Sequence, residues 1–505
     1  MNTILEYIEK TALSHPSNIA IDDGAELSYA DFRIGYSAIG THILQKYPEA
    51  SNRAVVVFLP KSAASVVSFM GALASGNAYV PVDYKTPTTR LIVMLEKLNP
   101  LLIITDSDGR ALLGEQYADI ICEYTDIVST APDYAAIRQK LGLVIDTDPA
   151  YIMFTSGSTG VPKGVTISHR GIENYAFWLI KDFEIDENSC LGLQSGFHFD
   201  NSVFDMYTSF ITGAKLVIIP ETLFMYPPQL MEFMKEKKVT CVFWVPTVMI
   251  NVANSGALEG IDLPDLKTIT FAGEVMPNKQ LNIWRKHLPN RKYANLYGPT
   301  EITVDCTFYV VDREFADDEP LPIGYPVPNT KILLINEEGK EAARGEKGEL
   351  CVIGCGVALG YWNDPETTAK VFVQNPLNTK YPELMYKTGD LAYIAEDGLI
   401  MYSGRKDYQI KLRGNRIEMG DIENAAIGID GIQSACAMFD NRNEEIVLFI
   451  VSDTEYILRK FNLLLGKTLP KYMLPSKLVQ LESFPLTPNK KIDRKKLMEI
   501  YETER

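Results

Sequence analysis

The sequence predicts an α/β fold, with a large N-terminal domain built from parallel-sheet βαβ subdomains. Short apolar strands alternate with amphipathic helices through the first half of the chain. The predicted strands are 54–59, 78–82, 101–105, 215–219, 240–244 and 268–271, and helices are predicted at 63–73 and 91–98. Such alternation is typical of parallel sheets whose two faces are covered by helices.

The sequence pattern changes after Pro322, and the change predicts a β-rich subdomain within the same domain. The strands there become shorter and are separated by turns, as at 331–335 and 349–353. Another change, near Gly404, predicts a small α+β C-terminal domain. Its predicted elements are a helix at 419–429, strands at 435–439 and 445–451, and a helix at 454–465. We therefore predict two domains, residues 1–404 and residues 405–505, the second of ordinary domain size.

The bulk composition suits a globular protein of more than one domain. The 505 residues are 46% hydrophobic and 23% charged. We expect no transmembrane helix, since no run of about 18 apolar residues occurs, and no signal peptide, since the N-terminus lacks a basic segment followed by an apolar one. Seven cysteines without a CxxC pair, and five histidines, disfavour a disulfide scaffold or a zinc site. We expect a cytoplasmic protein.

The charge balance disfavours nucleic acid as the main partner. The chain has 49 Lys and Arg against 65 Asp and Glu, a formal net charge of −16. Affinity for nucleic acid depends largely on neutralising phosphates with basic side chains. A local basic patch stays compatible with this balance.

The ten residues Thr155–Gly164, TSGSTGVPKG, form a glycine- and hydroxyl-rich loop after the apolar run 151–154. Backbone N–H groups and hydroxyls in such a loop can contact phosphate oxygens, and Lys163 adds a positive charge. The loop differs from the Walker A pattern, because Lys163 is preceded by Pro162 and followed by Gly164. A flexible connection is the alternative interpretation.

Two further motifs place carboxylates in turns. Tyr297–Glu301, YGPTE, follows a strand-like segment, so that Glu301 would lie at the edge where open α/β sheets bind ligands. Asp390 ends YKTGD, where its carboxylate suits the two hydroxyls of a ribose. A solvated surface Glu and an ordinary Asx-type turn are the alternatives.

Three charged motifs lie in the C-terminal part. Gly404–Asp407 is GRKD, Arg413–Glu418 is RGNRIE, and Asn489–Arg494 is NKKIDR. A lysine cluster near a terminus is often only a solvated run of charge.

Taken together and in order, these motifs resemble the adenylate-forming superfamily of acyl-CoA synthetases, luciferases and peptide synthetase adenylation domains. The resemblance spans nearly the whole chain. It also includes the segments Leu27–Phe32, Gly76–Asp83, Gly348–Gly354 and Ala358–Tyr361.

The resemblance implies an ATP site. The loop Thr155–Gly164 would hold the β,γ-phosphates, with Thr155 and Glu301 near Mg²⁺, while Tyr297 would line adenine and Asp390 would contact ribose, with Arg405 nearby. The full predicted ATP-binding set is Thr155, Ser156, Gly157, Ser158, Thr159, Gly160, Lys163, Tyr297, Gly298, Thr300, Glu301, Asp390, Arg405 and Lys491. Thr155, Glu301 and Lys491 are the predicted catalytic residues.

The resemblance also implies two half-reactions and a mobile small domain. A substrate carboxylate attacks the α-phosphorus, with Mg²⁺ and Lys491 offsetting the negative charge that develops. The small domain then rotates about the hinge residue Asp407, and a thiol attacks the acyl-adenylate. One departure concerns the family's usual Gly-Lys, which is Lys490-Lys491 here; we expect Lys491 to be the catalytic lysine.

Within the superfamily, Phe199–Ser202, FDNS, resembles the amino-acid-activating branch. Its aspartate, Asp200 here, pairs with the substrate α-ammonium, and such a buried charge needs its partner. The alternative is that Asp200 only caps the following helix. The remaining pocket residues implied by the resemblance are Asn201, Phe204, Phe243, Thr270, Ala272, Leu296, Val304 and Asp305. They suggest a small or polar amino acid, whose identity the sequence does not give.

The acceptor and the exact activity stay open. The chain ends soon after the lysine motif, so we expect the acceptor to be the phosphopantetheine thiol of a separate carrier protein. D-alanine–carrier protein ligases of teichoic acid synthesis resemble the segments 271–277 and 407–412, but they usually differ at Asn201 and Ala272. An acyl-CoA synthetase and a non-catalytic nucleotide-binding relative are also compatible with the motifs. Basic residues that could help dock the carrier are Lys490, Arg494, Lys495 and Lys496.

Overall fold

The computed structural model describes residues 3–156, 162–406, 409–485 and 492–503. The chain forms two compact units, each made of several segments. The first unit is Met1–Tyr84, Leu98–Phe154 and Gly164–Lys406, and the second is Lys85–Lys97, Thr155–Lys163 and Asp407–Arg505. The domains predicted from sequence, 1–404 and 405–505, were continuous stretches, and that division stays a prediction.

The helices occur where amphipathic runs follow a capping residue. Ser28 and Ser168, for example, each accept a backbone N–H from the first turn of the helix that follows. The helices are α1 (Ile4–Ser14), α2 (Tyr29–Lys46), α3 (Ala63–Ala74), α4 (Thr88–Leu98), α5 (Ser107–Leu113), α6 (Tyr124–Ile127), α7 (Tyr134–Leu141), α8 (His169–Asp182), α9 (Asn201–Thr212), α10 (Pro227–Glu236), α11 (Pro246–Asn254), α12 (Asn278–His287), α13 (Pro365–Val371), α14 (Met419–Ile427), α15 (Leu458–Leu465) and α16 (Arg494–Thr503).

The strands are short, and most in the first half of the chain are apolar along their whole length. Up to residue 326 they are β1 (Ile19–Asp22), β2 (Glu26–Ser28), β3 (Ala54–Phe58), β4 (Ala78–Pro81), β5 (Leu102–Thr105), β6 (Ile121–Glu123), β7 (Pro149–Thr155), β8 (Lys163–Ser168), β9 (Cys190–Leu193), β10 (Lys215–Ile218), β11 (Cys241–Trp244), β12 (Thr268–Phe271), β13 (Lys292–Tyr297), β14 (Thr307–Val310) and β15 (Tyr325–Pro326). The later strands are β16 (Thr330–Ile335), β17 (Gly348–Gly354), β18 (Gly360–Tyr361), β19 (Phe372–Gln374), β20 (Leu384–Ile394), β21 (Ile400–Arg405), β22 (Gln409–Leu412), β23 (Asn415–Glu418), β24 (Ile432–Asp440), β25 (Glu445–Ser452) and β26 (Lys477–Leu481).

Two large sheets carry most of these strands. One has the order β15-β14-β13-β12-β11-β9-β10-β1-β2, and the other β18-β8-β7-β4-β3-β5-β6. Their central pairs run parallel, while β2, β14, β15 and β18 pair antiparallel at the edges. The strand β3, AVVVF, is buried at every position, as expected for a parallel strand covered on both faces.

The β-rich subdomain and the second unit have smaller sheets. The strands β16, β17, β20 and β19 pair in that order, with β21 beside β20. In the second unit β22 and β23 form a hairpin, and β24, β25 and β26 form a separate sheet. The predicted α/β fold class, with parallel sheets followed by a β-rich region and a small α+β region, is confirmed.

The elements that position the site meet on one face of the nine-stranded sheet. Residues Phe243, Thr270 and Ala294 are register partners on β11, β12 and β13, so their side chains share that face. The helix α9 packs on the same sheet, and α8 packs on α9. Helices within the described ranges are all too short or too polar to span a bilayer.

Candidate active site

Three of the predicted nucleotide-binding side chains meet in one buried hydrogen-bond network. The Tyr297 hydroxyl, at the end of β13, donates to Asp390 Oδ2. The guanidinium of Arg405 donates through Nη1 to Asp390 Oδ1 at 2.7 Å. Asp390 and Arg405 are cross-strand partners on β20 and β21, which fixes their mutual distance. We call Tyr297, Thr388, Asp390 and Arg405 the Asp390 cluster.

Thr388 anchors this cluster to the sheet. Its hydroxyl donates to the Leu350 carbonyl at 2.7 Å and accepts from the Asp390 N–H at 3.0 Å. Burial and the neighbouring Asp390 carboxylate raise the pKa of Tyr297 well above its ordinary value, so the phenol stays a proton donor. An ionised carboxylate has about four acceptor positions, so Asp390 keeps room to accept ligand hydroxyls.

Glu301 is completely buried, which is unusual for a glutamate. It lies in a short 3₁₀ turn, Thr300–Ile302, directly after β13. The Tyr361 hydroxyl donates to Glu301 Oε1 at 2.8 Å, and the Ala358 N–H donates to the Glu301 carbonyl at 2.8 Å. The segment 358–361 therefore holds Glu301 in place.

A strained turn follows Glu301. The Asp305 N–H donates to the Thr303 carbonyl at 3.0 Å, and the enclosed residue Val304 has a φ of 71°. Such a γ-turn with positive φ is rare, and it is costly for a β-branched residue. Gly298 is required beside it, since a Cβ there would lie 2.2 Å from the Val304 carbonyl oxygen. The turn fixes the direction in which Asp305 leaves the backbone.

Part of the predicted phosphate loop lies in the second unit. Thr155 ends β7, and its hydroxyl is buried without a hydrogen-bond partner among the described residues. The Ser156 hydroxyl donates to the Arg416 carbonyl at 3.0 Å. Lys163 begins β8.

Several predicted residues lie outside the described ranges. They are the loop residues Gly157, Ser158, Thr159 and Gly160, the hinge residue Asp407, and the lysines Lys490 and Lys491. Their predicted roles stay predictions.

The apolar residues of the predicted substrate pocket lie on one sheet face and the helix above it. Phe243 and Thr270 are register partners, Ala272 directly follows β12, and Leu296 lies on β13. Phe204 on α9 packs against Phe243 with ring centroids 4.8 Å apart. The structure thus places these residues near one another, and their role in binding substrate stays a prediction.

Acidic side chains surround one buried tyrosine at this pocket. The Tyr175 hydroxyl, on α8, donates to Asp305 Oδ2 at 2.7 Å. Burial raises the pKa of Tyr175 well above its ordinary value, and the carboxylates of Asp305, Asp200 and Asp205 raise it further. Of these three acids, Asp305 contacts the phenol directly. We call Tyr175, Asp200, Asp205 and Asp305 the Asp305 cluster.

Two members of this cluster lie on or directly before α9. Asp200 occupies the position before the helix, but within the described first turn its side chain makes no capping hydrogen bond. Asp205 is completely buried, and neither carboxylate oxygen has a hydrogen-bond partner in the described part of the chain. Burial raises the pKa of Asp205 well above its ordinary value and so favours its neutral form.

Sequence reasoning missed Tyr175, Thr388 and Tyr361 as parts of the site. Tyr361 and Thr388 stand inside the motifs ALGY and YKTGD, which was the available signal. Tyr175 stands in no motif; only its contact with Asp305, 130 positions away, reveals it.

The donors fit Mg²⁺, which prefers oxygen ligands and is bound through one or two carboxylates together with phosphates. Thr155 offers an orphaned hydroxyl, and Glu301 offers a buried carboxylate. The described residues hold no group of three or more His, Cys, Asp or Glu suited to a metal. A metal bound by the Glu301 carboxylate would thus depend on ligand phosphates for most of its coordination.

The ligand-binding edge of an open α/β sheet lies at the carboxyl ends of its strands, and Tyr297 lies at the carboxyl end of β13. The chain belongs to the AMP-binding enzyme family, whose model matches residues 8–362. The recognition made from the sequence motifs is thereby confirmed.

Individual relatives support this family assignment. The D-alanine–D-alanyl carrier protein ligase of Bacillus cytotoxicus is 33% identical, over 98% of this chain and 99% of its own length. Tyrocidine synthase 1 of Brevibacillus parabrevis is 31% identical over 98% of this chain, which spans 45% of that protein. An artificially fused adenylation–PCP di-domain NRPS from Klebsiella oxytoca has a TM-score of 0.82 at 22% identity, covering 96% of this chain and 94% of that one. Because its sequence identity is only 22%, the comparison with the Klebsiella oxytoca protein supports the fold alone.

Proposed function

We propose that this protein activates a small or polar amino acid with ATP, forming an aminoacyl-AMP and releasing pyrophosphate. It then transfers the aminoacyl group to the phosphopantetheine thiol of a separate carrier protein. The names of the relatives, a carrier protein ligase and a peptide synthetase, support this activity. We place the reaction in the cytoplasm, where ATP is available.

One observation carries the proposal. The segment 297–305 links the two clusters: Tyr297 at its start donates to Asp390, and Asp305 at its end accepts from Tyr175. Glu301 lies between them. A nucleotide at the first cluster and an amino acid at the second would therefore meet beside Glu301, as a condensation of the two requires.

The residues of the Asp390 cluster bind and orient the nucleotide in this proposal. Asp390 accepts ribose hydroxyls, Arg405 orients that carboxylate, and Tyr297 lines the adenine. The loop Thr155–Gly164 contacts the phosphates. Mg²⁺, when bound by Thr155, Glu301 and the phosphates, would offset charge on the leaving pyrophosphate; the pairing of these two residues comes from the family resemblance.

The amino acid would be bound through its two charged groups, the α-ammonium and the carboxylate. Its α-ammonium pairs with Asp200, and its carboxylate, brought near Lys491, attacks the α-phosphorus in line while pyrophosphate leaves. In the second half-reaction the carrier thiol loses its proton and attacks the carbonyl carbon, and AMP leaves with the C–O bonding electrons. Rotation of the small domain about Asp407 would switch the enzyme from the first half-reaction to the second.

D-Alanine is one candidate substrate, since a full-length relative is named as a D-alanine–D-alanyl carrier protein ligase. Acyl-CoA synthesis and nucleotide binding without catalysis are the alternatives, and Asp200 argues against the first of them. An acid without an α-amine has no positive charge with which this carboxylate could pair.

Asp200→Ala tests the proposal. Pyrophosphate release with ATP, Mg²⁺ and amino acids should fall about 100-fold or more in kcat/KM, since the charge pair with the α-ammonium is lost. Asp119→Ala, which removes an exposed carboxylate, should change nothing and is the matched control. Unimpaired turnover in Asp200→Ala, or release only with acids that lack an amine, would contradict the assignment.

A further inference from the structure

The segment 358–361, which contains the strand β18, contacts the turn that carries Glu301 at two points. The Ala358 N–H donates to the Glu301 carbonyl at 2.8 Å. The Tyr361 hydroxyl donates to Glu301 Oε1 at 2.8 Å. Ala358 therefore fixes the backbone from which the glutamate extends, while Tyr361 restricts the rotation of its carboxylate.

The backbone of Tyr361 belongs to a regular sheet. The strand β18 is the edge strand of the seven-stranded sheet, next to β8. Gly360 and Tyr361 pair antiparallel with Thr166 and Val165 of β8. A side chain that extends from a strand is placed more precisely than one that extends from a loop. The sheet therefore sets where the Tyr361 side chain begins.

Further contacts hold the rest of Tyr361. Its N–H donates to Thr368 Oγ1, on α13, at 2.9 Å. Its ring packs edge-on against Phe372, with ring centroids 5.6 Å apart. The residue as a whole is only 5% exposed. The phenol is thus held by protein contacts at its backbone, its ring and its hydroxyl before any ligand binds.

The orientation of a carboxylate ligand matters strongly for Mg²⁺. This ion demands nearly ideal octahedral geometry and gives up its waters reluctantly. Groups that hydrogen-bond to a metal ligand orient it, and the loss of such a group typically costs about 10- to 100-fold in metal affinity or activity. Glu301 is a proposed ligand of Mg²⁺, and the Tyr361 hydroxyl is a group of this orienting kind.

We infer that Tyr361 is a positioning residue whose hydroxyl orients the Glu301 carboxylate for the Mg²⁺ of bound MgATP. In this role Tyr361 acts through Glu301 and makes no contact with the nucleotide itself. Loss of the hydroxyl should therefore weaken the binding of ATP with its metal and leave the binding of metal-free ATP unchanged. This inference rests on the proposed function and adds to its ATP site a residue outside the predicted set.

The test is calorimetric titration of Tyr361→Phe and of the wild-type protein with ATP, in excess Mg²⁺ and in EDTA. The substitution removes the hydroxyl and keeps the ring that packs on Phe372. The ratio of the two ATP affinities measures how much the metal contributes to binding. This ratio should fall about 10-fold in Tyr361→Phe, through the affinity in Mg²⁺ alone. An unchanged ratio would overturn the inference, and so would a wild-type affinity that does not depend on Mg²⁺.

Tyr7→Phe is the matched control. The Tyr7 hydroxyl also donates to a glutamate, to Glu173 Oε1 at 2.7 Å. Each variant therefore loses one hydrogen bond from a phenol to a carboxylate, but only Tyr361→Phe should change the ratio. An equal fall of the ratio in Tyr7→Phe would overturn the inference, because the effect would then not depend on Glu301.

A double variant tests whether Tyr361 acts through Glu301. Glu301→Gln removes the charge of the carboxylate with little change of volume. Added to Glu301→Gln, Tyr361→Phe should have little further effect on the ratio, since residues that act through one contact are not additive. A further fall as large as that of Tyr361→Phe alone would overturn the inference.

The two proposals fail differently in these experiments. If no amino acid supports pyrophosphate release, amino-acid activation is overturned, while the ATP affinities still decide the role of Tyr361. If release is normal and the ratio is the same in Tyr361→Phe as in the wild-type protein, only the role of Tyr361 is overturned.

Discussion

The Asp390 and Asp305 clusters lie at opposite ends of the segment 297–305. The buried carboxylate of each cluster has a different kind of hydrogen-bond partner. Asp390 is neutralised within the protein by the Arg405 guanidinium at 2.7 Å. Asp305 accepts from Tyr175, a neutral phenol, and burial raises the pKa of Asp205 well above its ordinary value. The first cluster therefore places a cation beside its carboxylate, whereas the second places a neutral hydroxyl group beside its carboxylate.

This difference between the clusters matches the charge of the ligand group proposed for each. Ribose hydroxyls are neutral, so the carboxylate that binds them needs a permanent cation beside it, because an unpaired buried charge is costly. An amino acid brings its own ammonium group, whose charge is complementary to a pocket that contains acidic side chains.

The largest effect should come from breaking the link between the clusters. In Gly298→Ala the new Cβ would lie 2.2 Å from the Val304 carbonyl oxygen, so the turn must shift. Because Tyr297 and Asp305 flank this turn, pyrophosphate release should fall about 100-fold, as displacements near 1 Å do. Gly142→Ala is the control, since its Cβ meets nothing closer than 3.4 Å. Normal activity in Gly298→Ala would show that the two clusters do not depend on the turn.

A smaller but still large effect should follow from Arg405→Ala. The side chains of Arg405 and Asp390 are only 10% and 5% exposed, so the variant leaves a buried carboxylate unpaired. The free energy of unfolding should fall by about 3–5 kcal/mol. Denaturant unfolding with and without ATP measures this.

The control for Arg405→Ala is an ion pair at the surface. Arg442 pairs with Glu502 at 3.5 Å, and their side chains are 83% and 53% exposed. Arg442→Ala should cost less than about 1 kcal/mol. Equal losses for the two variants would mean that the Asp390 pair does not stabilise the fold.

The smallest effect should have the opposite sign. Burial raises the pKa of Asp205 in the folded protein, so the folded chain holds this proton more tightly than the unfolded chain does. Stability is lost as pH rises above the ordinary aspartate pKa near 4, and Asp205→Asn should restore it. Unfolding at pH 7 and near pH 4 should show a stabilised variant at the higher pH and a smaller gap at the lower one. A variant less stable at pH 7 would indicate an ionised, partnered Asp205.

Local features of the fold were predictable, whereas the contacts that build the site were not. The strand predicted at 268–271 is β12, Thr268–Phe271, and the helix predicted at 63–73 is α3, Ala63–Ala74, because apolar patterning acts within each segment. The helix predicted at 454–465 begins later, at Leu458. Boundaries of this kind depend on tertiary contacts as well as on pattern.

Pairings across the chain carry no local signal. Tyr297 meets Asp390 across 93 positions, and Tyr175 meets Asp305 across 130. A single sequence does not state which side chains meet across such distances. The left-handed turn at Val304 was equally hidden, since β-branched residues normally avoid positive φ.

That turn has a consequence for engineering the substrate preference. Phe243, Thr270 and Ala272 lie on or directly after regular strands, where one side chain can be exchanged while the backbone keeps its course. Thr303 and Val304 hold positive φ values of 59° and 71°, so substitutions there alter the path of the chain itself. Libraries should therefore vary the strand positions singly and transplant 298–305 only as one block.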